Sequence, residues 1–457
     1  MAETLCDDRP LTLDDLTAWF AAGGKPVSEF RVGAEHEKFV FRVGSHEPVA
    51  YDGPDGIHAL MTGLMRFGWT GTYEARADGG ETLIGLNRGM ANVSLEPGGP
   101  FELSGAPLET MHDICEETGQ HLEEVKTVAR ELGLGFLGLG FTPLWRRDDV
   151  PIMPKGRYRI MRDYMPKVGG QGLDMMFRTC TVQANLDFAD EADMIAKFRV
   201  SLALQPIVTA LFANSPFTEG RPNGFLTARA NVWTDTDADR TGMLSFVFDD
   251  GFCFETYARY ALEVPMYFVK RNGRYIDVAG RSFAAFMKGE LPELPGEQPT
   301  IKDWVDHTST IFPEVRLKQY LEMRGADAGP WTRLCALPAL WAGLLYDPAA
   351  QAAAWDLCKH WTQADRAALI RDVPRLALGA TVAGRTVRDV AKDMTAIAHQ
   401  GLKRRNRLSG GMVDETNYLT EIEDIADSGV TAAERMLERY HGAWGGNVSE
   451  VFEAYAY

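Results

Sequence analysis

Cysteine is scarce in this chain: six residues in 457, at positions 6, 115, 180, 253, 335 and 358, with no two spaced as CxxC. That pattern excludes a zinc knuckle and a dense disulfide scaffold, and leaves most of these side chains as buried thiols. Positive charge is short too. The 47 Lys and Arg against 64 Asp and Glu give a formal net charge of -17, which argues against nucleic acid and anionic membranes as partners, since both need a basic footprint. The densest basic cluster, Lys403, Arg404, Arg405 and Arg407, is expected as a solvated helix end. No apolar run approaches the length of a membrane span, and the opening MAETLCDDRPLTLDD is acidic, with no apolar core of a signal peptide. Internal repeats and low-complexity tracts are missing. These absences predict a cytoplasmic globular protein, either one enlarged α/β unit or two intimately packed parts.

What is present concentrates in FPEVRLKQYLEMRGAD, Phe312 to Asp327. Read as one strand, it puts Arg316, Lys318, Tyr320, Glu322 and Arg324 on one face, and Val315, Leu317, Leu321 and Met323, with Gln319, on the other. A helical period would mix Leu317 and Leu321 with the charges and leave no apolar stripe, so a strand is expected. Cations and a carboxylate on a sheet face backed by apolar residues suit a metal bound to an anionic phosphate. A solvated face of an antiparallel sheet is the plainer alternative.

Earlier segments extend that face. FRVGAEHEKFVFRV predicts a strand with Glu35, Glu37, Phe39 and Phe41 on one side; its two carboxylates, about 7 Å apart by strand rise, suit one divalent ion or two neighbouring ions. His36 faces the other way as a structural histidine. MANVSLE predicts a strand ending on Glu96, and Glu102 follows the PGGP turn as a second ligand or a surface acid. FRTCTVQANLDF alternates Thr179, Thr181, Gln183, Asn185 and Asp187 against Cys180, Val182, Ala184 and Leu186, so its amides offer orienting hydrogen bonds to an amino acid or a ribose. PKGRYRIMRDYMP brings Arg157, Arg159 and Arg162, which cannot all be buried unpaired. Helices are expected at 12–22, opened by Thr12 and Asp15, at 56–67, 107–132 and 195–212, and from Trp331 onward, with a capping box at Thr431 and Glu434. Tyr267 to Val278 reads as a hairpin turning on Asn272-Gly273.

Two motif look-alikes fail. The G-x-G-x-x-G of Gly133, Gly135 and Gly138 follows a helix and stops at Thr142-Pro143, whereas a dinucleotide fingerprint follows a strand and opens a helix. The Asp235, Asp237, Asp239 series has Arg240 where a calcium loop needs glycine and Phe246 where it needs a carboxylate, which leaves a polar loop near the mouth of the site.

GAEHEKF, SLEPGGPFELSG, RYRIMRDYMPKVG, LDMMFRTCTVQANLDF, ALFANSPFTEG, WTDTDADRTGM, IFPEVRLKQYLEMRGAD and the C-terminal WG..V..VFE resemble the plant-type glutamate–cysteine ligases, also found in some proteobacteria. The similarity covers nearly the whole chain. It implies an α+β fold of the glutamine-synthetase-like carboxylate–amine ligases, a curved antiparallel sheet forming a funnel with helices outside. Residues 1–457 would be a single catalytic unit, sheet-rich over 1–330 and mainly helical over 331–457. The implied reaction joins the γ-carboxylate of L-glutamate to the amine of L-cysteine at the expense of ATP, through a γ-glutamyl phosphate, as the first step of glutathione synthesis.

Under that resemblance Glu35, Glu37, Glu96 and Glu322 would hold Mg2+ against the ATP phosphates, with Glu102 as a further candidate. Arg324, beside a catalytic Glu322, would stabilise the moving phosphoryl group, and Arg316 and Lys318 would join it in contacting the nucleotide. Arg157 and Arg229 would grip substrate carboxylates, with Gln183 and Asn185 also on the substrate. The expected partners are L-glutamate, L-cysteine and ATP, with no nucleic acid or membrane, in a monomer or homodimer. Plant members carry a redox-sensitive cysteine pair where this chain has Val278 and Glu293, so that switch is expected to be missing. Cys115 and Cys335 match a second plant pair that can form a disulfide, although a reducing cytosol opposes a constitutive one. The acidic, Arg-poor N-terminus lacks the character of a transit peptide, which favours a proteobacterial cytoplasmic enzyme. Three rivals stand beside this reading: a ligase for a different amine, a non-catalytic binding protein on the same fold, and a metal-dependent phosphohydrolase, for which this chain lacks matching Asp and His ligands.

Overall fold

The computed structural model describes residues 9–76 and 79–457; Cys6 and the first eight residues of the acidic opening lie outside the described residues. Nine strands form one antiparallel sheet: β1 (Val32–Arg42), β2 (Thr70–Ala75), β3 (Glu81–Arg88), β4 (Ala91–Leu95), β5 (Phe101–Ser104), β6 (Leu134–Leu137), β7 (Thr181–Leu186), β8 (Val315–Leu317) and β9 (Leu321–Asp327). They lie in the order β8-β9-β7-β1-β5-β4-β3-β2, with β6 paired to the second half of β1. Strands β2 and β3 are additions to the sequence reading. Their patterns, TGTYEA and ETLIGLNR, have no clean alternation, and a register shift falls between Thr72 and Tyr73.

The Phe312–Asp327 stretch departs from a single strand. It folds back at Lys318–Tyr320 as the hairpin β8-β9, closed by Lys318 N–H donating to Tyr320 O at 2.8 Å. The reversal keeps the expected faces, because Arg316 pairs directly with Glu322, and residues directly opposite on paired strands share a face. Val315, Leu317, Leu321 and Met323 are buried on the other side.

Helices cover that apolar side. The elements used below are α1 (Leu13–Ala21), α2 (Ile57–Leu64), α3 (Met111–Leu132), α4 (Gly156–Tyr164), α5 (Glu191–Leu211), α6 (Ala228–Trp233), α7 (Trp331–Leu345) and α8 (Val387–Arg405). Helix α7 packs on β7 and β1, with α3 and α8 against it, and α5 packs on β9. One apolar core runs from Leu16 in α1 to Phe452 near the C-terminus. The capping boxes at Thr12/Asp15 and Thr431/Glu434 are formed. So is the 268–277 hairpin, with both Asn272 and Gly273 at positive φ.

Three expectations change at this level, and that of a solvated basic helix end holds. Helix α5 is long and apolar enough to cross a membrane, but 83 % of that stretch is buried inside the protein, where it serves as a core helix. The polar Asp235–Asp239 loop is only partly solvated: Asp235 and Asp239 are exposed, but Asp237 and Arg240 are buried and paired at 2.6 Å, and Arg240 also donates to Thr310 O and Pro265 O. The basic end of α8 is largely solvated, as expected: Lys403, Arg404 and Arg407 are exposed, with Arg404 paired to Asp347, Arg405 to Glu415 and Arg407, just past the helix, to Glu109. Finally, the sulfurs of Cys115 on α3 and Cys335 on α7 are joined, with Cα atoms 5.7 Å apart. Val278 is buried, and Glu293 accepts from Arg281 Nη2 at 2.6 Å.

Candidate active site

The uncovered face of the sheet opens into a cavity of about 250 Å3. Strand pairing brings its acids together from distant parts of the chain. Glu37 on β1 lies directly opposite Glu102 on β5, which lies opposite Ser94 on β4. Glu35 is one alternation away, opposite Gln183 on β7. Glu96 enters where β4 ends, before the turn at Pro97.

Carboxylates aligned across a sheet repel one another, and burial sharpens the effect. Burial, then the charges of Glu322 and Glu102, push Glu35 up to about 7. Burial and the neighbouring Glu96 and Glu102 hold Glu37 well above the ordinary carboxylate range, and burial with Glu96 raises Glu102. Donors fix their oxygens in place: Asn185 Nδ2 to Glu35 at 2.7 Å, Thr181 N–H to Glu37 at 3.0 Å, and Ser94 Oγ to Glu102 at 2.9 Å. An oxygen-only donor set carrying excess negative charge fits a hard dication such as Mg2+. Among the described residues no three His, Cys, Asp or Glu side chains already stand close enough to enclose a metal, so these acids would have to draw in around the ion.

The opposite wall is cationic and organised by Glu322. Its Oε2 accepts from Arg316 Nε at 2.7 Å and Arg324 Nη1 at 2.6 Å, and its Oε1 from Arg316 Nη2 and Lys318 Nζ, both at 3.0 Å. Glu322 is fully buried; burial alone would raise its carboxyl, but the charges of Arg316, Lys318 and Arg324 hold it well below the ordinary range. This geometry departs from the expected metal ligand, since both oxygens are occupied by cations. Arg316 is equally engaged, donating also to Ser309 O and Ile311 O. Arg324 reaches into the cavity and donates to Gln183 Oε1 at 2.7 Å. Asn185 stands behind the lining, its Nδ2 donating to Glu35 while its buried Oδ1 has no partner among the described residues.

Arg157 from α4 and Arg229 from α6 complete the walls. Each has a buried Nε without a partner among the described residues, a donor left for an incoming anion. Asp327 stands beside Arg229 and accepts from Asn214 N–H, Ser215 and Thr227. Gly140 permits that approach, because a Cβ there would fall 2.2 Å from the Asp327 carboxyl carbon.

Comparison with known proteins decides the family. The profile of glutamate-cysteine ligase family 2 matches residues 31–454. A chloroplastic glutamate–cysteine ligase of Arabidopsis thaliana is 55 % identical over 456 residues, 100 % of this chain and 85 % of that protein. This chain belongs to the glutamate–cysteine ligase family. The chloroplastic glutamate–cysteine ligase B of Oryza sativa subsp. japonica is 54 % identical over 449 residues, 98 % of this chain and 88 % of that one. In fold, the chain is similar to a Francisella tularensis glutamate–cysteine ligase solved in complex with AMP, at a TM-score of 0.55 and 10 % identity over 93 % of this chain and 87 % of that one. The α+β antiparallel-sheet fold expected from the sequence is therefore present. The cytoplasmic location expected from the sequence is overturned by the comparison, because the curated relatives named here are chloroplastic enzymes. Charge and hydropathy patterns, on which that expectation rested, do not specify an address that a receptor reads.

Within this family site, Lys155 and Tyr158 are lining or supporting residues absent from the sequence reading. Both donate to Leu95 O, Lys155 at 2.9 Å. Burial and the nearby Arg157 lower Lys155 to about 8. Their spacing of three, continued by Met161, marks one face of α4, and that face becomes visible once the segment is read as a helix.

Proposed function

We infer that this chain is an ATP-dependent glutamate–cysteine ligase, joining the γ-carboxylate of L-glutamate to the amine of L-cysteine through a γ-glutamyl phosphate. Family membership over the whole chain supports the reaction. The observation that carries the roles is the division of one cavity into an acidic wall of Glu35, Glu37, Glu96 and Glu102 and a cationic wall of Arg316, Lys318 and Arg324 around Glu322. The acidic wall would hold Mg2+, which when bound neutralises the nucleotide phosphates during transfer. Arg324 is placed to steady the negative charge of the transferred phosphoryl group. Glu322 acts as a positioning residue that aligns Arg316, Lys318 and Arg324. Arg157 and Arg229 take substrate carboxylates through planar guanidinium groups, and Gln183, tied to Arg324, orients the γ-carboxyl end. One continuous core from Leu16 to Phe452 supports treating the whole chain as a single catalytic unit.

The test is ADP release by the purified protein with ATP and Mg2+, adding glutamate, cysteine or both, with the product identified by mass. ADP release requiring both amino acids, with γ-glutamylcysteine formed, is expected. Hydrolysis indifferent to amino acids would leave only the fold in common with the family.

A further inference from the structure

A narrow crevice of about 30 Å3 adjoins the main cavity and shares Arg229, Trp233, Phe312 and Arg324 with it. That is room for an ammonium group or a pair of waters, but not for a whole amino acid. Glu314 is the one carboxylate among the described residues that line it. No side-chain hydrogen bond among the described residues reaches this carboxylate, and burial raises its pKa against the opposing charges of Arg229 and Arg324. Beside it lies Gln205, 1 % exposed, with neither its amide nitrogen nor its amide oxygen partnered among the described residues. Both side chains close on Gly325, where a Cβ would fall 2.6 Å from Gln205 Nε2 and 2.6 Å from Glu314 Oε2.

A buried primary amide with both ends open is costly unless something completes it. Here the completing group must match a carboxylate and an amide oxygen on one side and an arginine on the other. An α-amino acid zwitterion does so, its ammonium toward Glu314 and Gln205 and its carboxylate toward Arg229. The amine acceptor of the ligase also has to lose a proton before its nitrogen can attack.

We propose that Glu314 receives the ammonium of the incoming amino acid and takes its proton, while Gln205, behind the crevice wall at Gly325, steadies the nitrogen and Arg229 holds the same molecule's carboxylate. This rests on the ligase reading above. In the step, one ammonium proton passes to the Glu314 carboxylate and the freed lone pair forms the C–N bond to the acyl carbon. The C–O bond to phosphate breaks, phosphate leaves with that electron pair, and it takes the second nitrogen proton. Glu314 then releases its proton to solvent. The charged and titratable groups facing Glu314 are Arg229 from α6 and Arg324 from β9, with the neutral Gln205 from α5.

The test compares two acceptors in wild type and Glu314→Gln. Cysteine arrives as an ammonium, whereas hydroxylamine is largely free base at neutral pH and needs no proton acceptor. The ratio of kcat/KM for cysteine to that for hydroxylamine is expected to fall about 100-fold in Glu314→Gln, with the thermal midpoint within a few degrees of wild type and the loss shrinking as pH is raised. Equal loss with both acceptors, or no loss with either, would overturn the role of Glu314. In a second variant, Gln205→Leu, the KM for cysteine is expected to rise about tenfold with the KM values for glutamate and ATP unmoved; a parallel rise in all three would count against the crevice. Wild-type enzyme that makes the hydroxamate but no γ-glutamylcysteine would instead overturn the cysteine-ligase reading itself.

Discussion

At the scale of single residues, the decisive group is Glu322. A fully buried carboxylate that serves three cations is stable only while all partners remain, because removing one side leaves uncompensated charge in a low-dielectric setting. Glu322→Gln keeps the volume and removes the charge, so Arg316, Lys318 and Arg324 would repel one another and Arg324 would leave its place. Turnover at saturating Mg2+ is expected to fall at least about 100-fold, while far-ultraviolet circular dichroism retains the wild-type shape. Near-wild-type turnover would remove Glu322 from the mechanism. The alternation of functional residues on 312–327 made this group visible in the sequence. It also put Arg316, Lys318 and Arg324 on the same face, but not the direct Arg316–Glu322 pairing, which arises only when the chain reverses at Lys318–Tyr320.

At the scale of elements, the loop after α6 shows how a polar sequence becomes a buried anchor. Asp237 accepts from Arg240 Nε at 2.6 Å, and the guanidinium lies 3.9 Å from the centroid of the Tyr267 ring. Arg240 O also accepts from Phe312 N–H at 2.7 Å, which ties this loop to the start of the β8-β9 hairpin. Three acids alternating along the chain resemble a solvated loop, and only the packing of the 265–267 and 310–312 segments takes Asp237 and Arg240 out of water. Asp237→Ala is expected to cost about 3–5 kcal/mol in urea unfolding, as for a buried pair broken from one side, with Asp237→Asn intermediate. A change within experimental error for both would mean that water replaces the pair at little cost.

At the scale of the whole molecule, several buried titratable groups tie stability to pH. Burial lowers His36 and His121 well below the usual imidazole range and brings His307 to about 4. His307 Nε2 donates to Ala261 O, 2.8 Å away, and the ring stacks on Phe283. Because its folded value lies below its unfolded value of 6.5, the unfolded chain binds the proton first as pH falls. The stability that neutral His307 lends is therefore complete above pH 6.5 and is lost between 6.5 and 4, at most roughly 3 kcal/mol. Glu35 works in the other direction: its folded value, about 7, lies above 4.5, so its contribution is complete below pH 4.5 and is lost as pH rises through 7. His307→Gln is expected to flatten the fall of the thermal midpoint between pH 6.5 and 4. An unchanged slope would assign that fall to other groups.

The sequence by itself determined the strand alternations that carry Glu35, Glu37, Gln183 and Arg324, the capped helices, the Asn272-Gly273 hairpin and the family. Each of these is encoded within a few residues or across long contiguous motifs, where side-chain periodicity and turn chemistry are local properties. Tertiary structure alone decided which oxygens stay open and which are consumed. Glu37, Glu102 and Ser94 align only because β1, β5 and β4 pair in one register; Glu322 is sequestered by a hairpin partner, and Glu314 meets Gln205 across Gly325. Those pairings join residues far apart in the chain, and the burial that sets their charges depends on every element packed around them.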